Sequence, residues 1–342
     1  MSEATRVAAA KPSAEALAAL AALGGVADVR YLPRETLAKY TWLRVGGPAD
    51  LLAIPETEVA LAELLRRADA HGVPVTLLGG GSNMLVLDGG IRGLVIRLGR
   101  GFRYVRHQGL EITAGGAAPL PQVCLYCVEH GLAGFEWAAG IPGTIGGAVV
   151  MNAGAHEYDV SMWVKSVRFL TYEGASLIRR VDEIVWQYRE SELPPRAVAV
   201  EATFALHAGD PAQLRAARLA GLAHRNATQP IGEPSCGSTF RNPAGDHAAR
   251  LIEAAGLKGH AIGGVHVSTK HANFFITAPG ATAADVRGLI ALTQQRVKAK
   301  FGVDLITEVK VLGEEGSYAY LNVDALIADF RADIARARRS NS

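Results

Sequence analysis

The chain has 342 residues, of which 49% are hydrophobic and 20% are charged, a composition typical of a globular protein long enough for two or three domains. A formal net charge of +2 gives no argument for nucleic acid, and no apolar run is long enough to cross a membrane, so we expect neither partner. Three cysteines and ten scattered histidines favour neither a disulfide framework nor a metal site, and we expect no metal.

The first 36 residues are predicted to form a loosely held leader helix. Leu17, Leu20 and Leu23 have the spacing of a short amphipathic helix. Glu15 lies at the start of the apolar run, where a secretory signal peptide would be uncharged. We therefore expect a cytoplasmic protein.

A predicted β-α-β unit then delivers a glycine-rich loop. A strand at Ala49–Ile54 precedes a helix at Glu58–His71, and Gly72 ends that helix before a second strand at Val73–Leu78. The loop that follows consists of Gly79, Gly80, Gly81, Ser82 and Asn83. Without Cβ atoms, its backbone N–H groups can turn toward one point and bind an anion, for which a diphosphate is the natural ligand. A glycine-rich hairpin is the alternative for this stretch taken alone.

A second glycine-rich stretch spans residues 135–155. Before it we predict strands at Met84–Leu87, Gly93–Leu98, Phe102–Gln108 and Leu110–Ala114 and a helix at Pro121–His130. The stretch contains Gly140, Gly143, Gly146, Gly147 and Gly154, a density that argues against a helix or a plain strand. Two such loops suggest a large cofactor held mainly through main-chain contacts. Neither loop carries the Gly-Lys-Ser/Thr of a phosphate loop, and neither fits the Rossmann pattern well.

The remaining elements alternate between strands and helices. We predict strands at Val164–Leu170, Ser176–Arg180, Ala197–Leu206, Val265–Val267, Asn273–Thr277 and Val303–Leu312. We predict helices at Asp210–Thr228, Ala248–Ala255 and Ala283–Phe301. Pro230–Pro234 resembles a linker. The predicted organisation is a leader at 1–36, a first domain at 37–209, a second at 210–312 and a tail at 313–342.

Six short motifs occur in a characteristic order. They are Leu78–Asn83, Gly140–Gly147 with Asn152–Gly154, Tyr188-Arg189-x-Ser191, Gly237–Pro243, Ser268-x-x-His271 and Glu308–Lys310. The region that contains them resembles the UDP-N-acetylenolpyruvoylglucosamine reductase family, in the branch without an extra substrate-clamping loop. The resemblance implies an α+β fold with a FAD-binding domain of the p-cresol methylhydroxylase (PCMH) type and a smaller C-terminal α+β substrate-binding domain.

The same resemblance implies an activity. It is the NADPH-dependent, FAD-mediated reduction of UDP-N-acetylenolpyruvoylglucosamine to UDP-N-acetylmuramate in peptidoglycan precursor synthesis. FAD would be bound non-covalently, NADPH would donate hydride, and we expect a monomer. The implied FAD-binding residues are Gly79, Gly80, Gly81, Ser82, Asn83, Gly140, Ile141, Pro142, Gly143, Thr144, Gly146, Gly147 and Asn152.

Three residues are implied in catalysis by the resemblance. Arg189 would stabilise negative charge on the enolpyruvyl carboxylate, although a surface ion pair with Glu190 or Glu192 is the alternative. Ser238 would donate a proton, and a turn or helix-capping serine is the alternative. Glu308 would polarise the substrate or assist proton delivery. Arg189 would lower the pKa of Glu308 and burial would raise it, and the sequence does not decide between them.

Substrate contacts are implied for a further set of residues: Tyr188, Asn242, Ser268 and His271. His271 is equally compatible with a structural hydrogen bond. Some of four cations should face the substrate phosphates: Arg241, Arg250, Lys258 and Lys270. His156 stands where the family often has tyrosine, which puts a stacking role in doubt. Cys236 is interpreted as a space-filling thiol.

Two other functions remain open. A flavin oxidase of the same cofactor-domain superfamily would act on an alcohol or sugar, and it would often tether its flavin covalently through histidine or cysteine. A flavin- or nucleotide-sugar-binding protein without turnover is the other alternative. The presence of Arg189, Ser238 and Glu308 together argues against the binding protein.

Overall fold

The structure is a computed structural model, and it describes residues 14–155 and 157–314. Residues 1–13 of the predicted leader, His156 and residues 315–342 of the predicted tail lie outside the described residues. None of the helices in the described part of the chain has both the length and the hydropathy of a membrane span. Nor do the described residues contain a cluster of three or more histidine, cysteine or acidic side chains suited to a metal ion.

The helices of the described residues agree closely with the sequence pattern. They are α1 (Ala14–Ala21), α2 (Glu58–Ala70), α3 (Leu120–Glu129), α4 (Ile145–Val150), α5 (Pro211–Thr228), α6 (Ala248–Ala254) and α7 (Ala283–Phe301). The five longer predictions, now α2, α3, α5, α6 and α7, are confirmed to within one residue at each end. Their caps explain this agreement. Thr57 accepts a hydrogen bond from the backbone N–H of Ala60 at the start of α2, and Thr282 forms a capping box with Asp285 at the start of α7.

The strands are short, and several join distant parts of the chain. They are β1 (Val29–Pro33), β2 (Ala49–Pro55), β3 (Val75–Leu77), β4 (Met84–Val86), β5 (Ile91–Ile96), β6 (Val105–Gln108), β7 (Glu111–Gly115), β8 (Leu132–Ala133), β9 (Gly154–Ala155), β10 (Tyr158–Asp159), β11 (Val164–Thr171), β12 (Ser176–Arg180), β13 (Val185–Gln187), β14 (Glu190–Glu192), β15 (Ala197–Ala205), β16 (His207–Ala208), β17 (Ala261–Ile262), β18 (Val265–Val267), β19 (Phe275–Thr277) and β20 (Lys310–Leu312).

A mixed sheet with the order β1-β2-β5-β3 carries the predicted β-α-β unit. Strands β2, β5 and β3 are parallel, and β2 is buried along its whole length. Such burial is typical of a parallel strand covered on both faces. Helix α2 packs on this sheet through Leu61, Leu64 and Leu65, which are fully buried. The first glycine stretch follows the carboxyl end of β3, next to the end of β5, where the N–H of Leu78 donates to the carbonyl oxygen of Ile96.

The N-terminal prediction needs a correction. In the described residues the helix covers only Ala14–Ala21, and Val29–Pro33 forms β1, antiparallel to β2. Leu20 and Leu23 are buried in the hydrophobic core beneath α2, so this part of the leader is anchored. Pairing with β2 along all five residues of β1 completes the sheet edge, which explains why a strand replaces the predicted helix.

An antiparallel sheet with the order β12-β11-β15-β7-β6 lies next to the second glycine stretch. The prediction that this stretch is not helical is wrong for Ile145–Val150, which forms α4. Thr144 caps α4 by accepting a hydrogen bond from the N–H of Gly147. A Cβ atom at Gly146 would lie 3.1 Å from the carbonyl oxygen of Gly116 and 3.3 Å from that of Ala199. Glycine thus lets the helix approach the sheet closely, and this tertiary packing outweighs its poor helix propensity.

The C-terminal part packs α6 and α7 around the antiparallel strands β17, β18 and β19. The predicted strand at Val303–Leu312 is wrong for most of its length, since only Lys310–Leu312 forms β20. The residues before and at the start of β20 form backbone hydrogen bonds to two different segments in succession. Residues 306 and 308 bond to the loop at residues 239–241, whereas Lys310 bonds to Asn83 at the start of β4. The change of partner interrupts a continuous ladder, and β20 finally runs parallel to β4.

Candidate active site

A cavity of about 680 Å³ lies between the two glycine stretches and the C-terminal part of the chain. Its volume is in the range of small-molecule and cofactor sites. Sixteen of the residues proposed from the sequence line it: Gly79, Gly80, Gly81, Ser82, Asn83, Ile141, Pro142, Gly143, Thr144, Gly146, Gly147, Tyr188, Arg189, Ser238, Asn242 and Glu308. Their roles remain predictions, but the fold brings them to one place from five separate parts of the chain.

The two glycine stretches form a floor made of backbone. A Cβ atom at Gly80 would lie 2.8 Å from the Cα of Gly143, and one at Gly81 would overlap the carbonyl oxygen of Tyr40. Gly81 also has a φ of +66°, which favours glycine. The side-chain Oδ1 of Asn83 is buried without a partner among the described residues. This cradle of main chain with an open polar atom fits a large cofactor such as FAD, bound through backbone N–H groups.

Two residues predicted to bind the cofactor do not line the cavity. Gly140 lies against α5, where a Cβ atom would be 2.9 Å from Leu222. Asn152 is 3% exposed, and its Nδ2 donates to the carbonyl oxygen of Gln187 at 3.1 Å. Its Oδ1 accepts from the N–H of Ser161, also at 3.1 Å. In the structure, Asn152 therefore supports the chain near Arg189.

We expect the Asn152→Ala variant to lose about 1–3 kcal/mol of unfolding free energy. The substitution leaves the Gln187 carbonyl and the Ser161 N–H, which both form partly buried hydrogen bonds to Asn152, without these partners. Urea unfolding would measure this loss. Asn226→Ala, on the exposed side of α5, is the control and should change stability by less than about 0.5 kcal/mol. Equal effects of the two substitutions would contradict the supporting role of Asn152.

A hairpin that the sequence analysis missed presents Arg189 to the cavity. Strands β13 and β14 pair from Val185 to Glu192, and Tyr188 and Arg189 form the turn between them. Arg189 has a φ of +61°, which is unusual for a residue with a side chain. Its guanidinium carbon lies 4.8 Å from the centre of the Tyr188 ring, and Ser191 donates to the carbonyl oxygen of Val149 in α4 at 2.8 Å. The strained turn is thus fixed by its neighbours on both sides.

Arg189 pairs with Glu308, with 3.4 Å between Nε and Oε1. The surface pair considered as an alternative is not observed, because Glu190 bonds to Arg241 and Glu192 accepts from Gln187. Burial raises the pKa of the Glu308 carboxyl, and this effect exceeds the lowering caused by Arg189 and Arg241. The structure therefore answers the question that the sequence left open, since burial prevails.

The main chain at Glu308 connects to the first glycine stretch. Asn83 Nδ2 donates to the carbonyl oxygen of Glu308 at 3.2 Å, and the N–H of Glu308 donates to the carbonyl oxygen of Thr239 at 2.8 Å. The N–H of Lys310 donates to the carbonyl oxygen of Asn83 at 3.1 Å. Glu308 is consequently held between the proposed cofactor floor and the loop that carries Ser238.

Ser238 lies in a loop that is fixed by Asn273, from the turn before β19. The amide of Asn273 donates to the carbonyl oxygen of Phe240 at 2.8 Å and accepts from its N–H at 3.0 Å. Gly237, with a φ of +75°, allows the chain to turn just before Ser238. Within the described residues the Ser238 hydroxyl caps no helix and closes no turn, so it is open to the cavity.

The residues predicted to contact substrate divide into two groups. Tyr188 and Asn242 line the cavity. Ser268 and His271 do not, because the Ser268 hydroxyl accepts from the N–H of Lys270 and of His271 in a buried turn. Burial also lowers the pKa of His271, whose Nδ1 accepts from the N–H of Asn273. This geometry agrees with a structural hydrogen bond by His271, which was the alternative to contact with substrate.

The cations expected to face the phosphates lie elsewhere. Arg241, Arg250 and Lys258 pair with Glu190, Asp246 and Glu253, Lys270 donates to the carbonyl oxygen of Asn226, and none of the four lines the cavity. The cavity is instead lined by other cations, namely Arg97, Arg103, Arg189, Arg225 and Lys310. The sequence could have pointed to Arg225, because it lies in the last turn of a predicted helix, just before a proline-containing linker.

All three cysteines are free and buried, in agreement with the expectation of core thiols. Cys236 borders the cavity, and burial raises its pKa to about 12. Such a thiol is protonated at neutral pH and is a poor nucleophile. No histidine lines the cavity among the described residues.

Comparisons with known proteins agree with this geometry. The profile described as FAD binding domain matches residues 49–178, and the one described as UDP-N-acetylenolpyruvoylglucosamine reductase, C-terminal domain, matches residues 229–312. UDP-N-acetylenolpyruvoylglucosamine reductase from Bacillus licheniformis is 42% identical over 84% of this chain and 95% of its own length. The protein of the same name from Myxococcus xanthus is 45% identical over 82% of this chain and 91% of its own.

A solved structure supports the same assignment. The crystal structure of UDP-N-acetylenolpyruvylglucosamine reductase from Thermus caldophilus has a TM-score of 0.72 and 32% identity, covering 83% of this chain and 99% of that one. The expected α+β fold, with a FAD-binding domain and a smaller C-terminal domain, is confirmed. These relatives favour the reductase over the flavin oxidase. The chain belongs to the UDP-N-acetylenolpyruvoylglucosamine reductase family.

Proposed function

We propose that the protein reduces UDP-N-acetylenolpyruvoylglucosamine to UDP-N-acetylmuramate, with FAD bound non-covalently on the glycine floor and NADPH as hydride donor. One observation carries the proposal. Arg189, Ser238 and Glu308 come from a hairpin, a loop and the segment just before β20, and all three line the cavity that the floor closes. We further propose that the enzyme acts as a monomer in the cytoplasm.

The glycine stretches have the properties that a dinucleotide cofactor requires. Gly79–Asn83 would hold the pyrophosphate through backbone N–H groups, and Gly143 and Thr144 would complete the floor. Bound FAD supplies the hydride-transfer chemistry. The protein's own side chains must bind the substrate carboxylate, stabilise the charge that develops there and deliver a proton.

Arg189 is suited to bind that carboxylate. Its guanidinium is cationic at any physiological pH and can form two parallel hydrogen bonds. The hairpin turn and the ring of Tyr188 hold it at the cavity wall before substrate arrives. Because the group is already oriented, little reorganisation is needed as negative charge grows on the substrate.

Ser238 is suited to donate the proton. A serine hydroxyl is a weak acid, but a carbanionic or enolic carbon is a strong base, so good geometry is sufficient. Glu308, which also lines the cavity, keeps Arg189 oriented through their ion pair. Its raised pKa would also let Glu308 assist proton delivery.

The burial of Glu308 predicts a pH-dependent difference in stability between the wild type and the Glu308→Gln variant. The folded protein binds the Glu308 proton more tightly than the unfolded chain, so the contribution to stability is full below the unfolded pKa and is lost as pH rises through the folded pKa. The melting temperature of the variant minus that of the wild type should therefore be larger at about pH 8 than at about pH 4.5. Glu233→Gln, at an exposed site in the loop before Ser238, should show the same difference at both pH values.

An anaerobic experiment tests the proposed function. NADPH is added to the purified yellow protein, and the flavin should bleach. The enolpyruvyl sugar nucleotide is added next, and the colour should return with formation of UDP-N-acetylmuramate. If the bleached flavin reoxidises no faster with this substrate than without it, the proposed function is wrong. Acid precipitation separates the oxidase alternative, because the reductase should release its flavin into the supernatant.

A further inference from the structure

Two exposed histidines lie close together where the end of α3 meets strand β6. His130 is the C-cap residue of α3, and His107 belongs to β6. Their ring centroids are 4.9 Å apart, and the ring planes are tilted by 59°. Tyr126, one helical turn before His130, contacts both rings. None of these three side chains lines the cavity, so the proposed reaction does not use them.

Hydrogen bonds involve the same nitrogen in each ring. Nδ1 of His130 lies 2.8 Å from the carbonyl oxygen of Tyr126. Because a carbonyl oxygen can only accept, His130 carries its proton on Nδ1, and its Nε2 keeps a lone pair. Nδ1 of His107 lies 2.9 Å from the Tyr126 hydroxyl, whose oxygen can accept in the same way. A histidine that binds a metal ion through Nε2 typically donates its Nδ1–H to such an oxygen, and both rings have one.

The separation of the two rings fits two ligands of one metal ion. A bond from a metal ion to a histidine nitrogen is about 2.1 Å long, which places the ring centroid about 3.2 Å from the ion. Two such ligands at an angle of about 90–110° then have their centroids about 4.5–5.2 Å apart. The observed distance of 4.9 Å between His107 and His130 lies within this interval.

The surrounding charges also favour a cation. The carboxyl end of α3 carries the negative pole of the helix dipole, and the last turn contains Glu129 and no basic residue. Arg106 precedes His107 in β6, and neighbouring residues of a strand point to opposite faces. Arg106 pairs with Glu201, so its charge is directed away from the two imidazoles and is partly neutralised.

We propose that His107 and His130 bind a divalent late transition-metal ion through their Nε2 atoms, with water completing its coordination. Two protein ligands are fewer than those of a resident zinc site, so the ion exchanges with the solvent. Cu²⁺ should bind more tightly than Ni²⁺ or Zn²⁺, and Mg²⁺, which prefers oxygen ligands, should not compete. The bound ion would join β6, an edge strand of its sheet, to the end of α3.

The test uses the full-length protein without an affinity tag. The Cu²⁺ dissociation constant is measured by competition with a chromophoric chelator at about pH 7.5, where both imidazoles are neutral. His107→Gln and His130→Gln are compared with His71→Gln, the control, because His71 is also an exposed C-cap histidine, at the end of α2. We expect the tightest Cu²⁺ site to weaken about 10- to 100-fold in each of the first two variants and by less than about twofold in the control.

Electron paramagnetic resonance of the Cu²⁺ complex identifies the ligands independently of affinity. The wild type should show hyperfine coupling to two imidazole nitrogens, and His107→Gln and His130→Gln should each show coupling to one. Tyr126→Phe keeps both rings and removes only the hydroxyl near His107, so it should weaken binding less than loss of either histidine. Binding should also decrease as pH falls below about 6.5, because protonated imidazoles release the ion.

Two results would overturn this site. One is a Cu²⁺ dissociation constant that is equal in the wild type and in both histidine variants. The other is an equal loss of affinity in His71→Gln, which would indicate general binding to surface histidines. Melting temperatures without metal should agree among the variants, since the substituted histidines are exposed. The binding measurement requires no turnover, so its result does not depend on the proposed function.

Discussion

The Ser238→Ala variant is expected to bleach normally with NADPH and to lose about 10²- to 10⁴-fold in the rate at which the enolpyruvyl sugar nucleotide restores the flavin colour. The hydroxyl is open to the cavity and is not used for capping, so its removal should leave the loop intact. Stopped-flow absorbance under anaerobic conditions measures the two half-reactions separately. The change should fall entirely on the second half-reaction, because only that step requires a proton at carbon.

Ser235→Ala provides a matched control for this experiment. Ser235 is buried three residues earlier in the same loop and does not line the cavity. Its removal should affect neither half-reaction by more than a small factor. Normal reoxidation in Ser238→Ala would assign the proton to another donor, of which Glu308 is the candidate with a raised pKa.

The Arg189→Lys variant is expected to lose about 10²- to 10³-fold in kcat/KM for the enolpyruvyl substrate, with flavin reduction by NADPH unchanged. Lysine keeps the charge but cannot form two parallel hydrogen bonds to a carboxylate. Arg241→Lys is the control, because Arg241 lies nearby, pairs with Glu190 and does not line the cavity. Similar losses in the two variants would indicate a general electrostatic effect instead of specific recognition.

The backbone at Arg189 allows folding to be separated from catalysis. Arg189→Gly and Arg189→Ala both remove the guanidinium, but glycine adopts a φ of +61° without strain. The glycine variant should therefore be more stable than the alanine variant by about 1 kcal/mol in urea unfolding, while both lack turnover. If alanine were the more stable of the two, the turn would not be strained.

Much of the fold could be predicted because local signals were strong. The apolar face of α2 with its Thr57 cap and the capping box of α7 define those helices without tertiary information. Helix α4 could not be predicted, since its glycines are required by contact with Gly116 and Ala199, which are distant in sequence. The hairpin of β13 and β14 was missed because its turn contains Tyr188 and Arg189 in place of glycine or asparagine.

Part of the candidate site could likewise be predicted from the sequence, and part of it could not. Motif resemblance proposed Arg189, Ser238 and Glu308 as catalytic residues, and the fold brings them to one cavity. Resemblance could not show that Ser268 stabilises a turn or that Asn152 supports the hairpin, because both depend on partners supplied by the folded chain. Arg225, which lines the cavity, was missed for a related reason. Which face of α5 meets the cavity follows from packing against Gly140, and the helical pattern alone does not show it.

The parallel pairing of β20 with β4 has a consequence for dissecting this enzyme into parts. A fragment ending before residue 229 would retain the region matched as a FAD binding domain, but β4 would have an unsatisfied edge immediately after the glycine floor. Leu43 and Leu85, from the first half, would also lose the core they share with α6 and α7. Co-expressed halves should thus reassemble through this edge, whereas either half alone should aggregate.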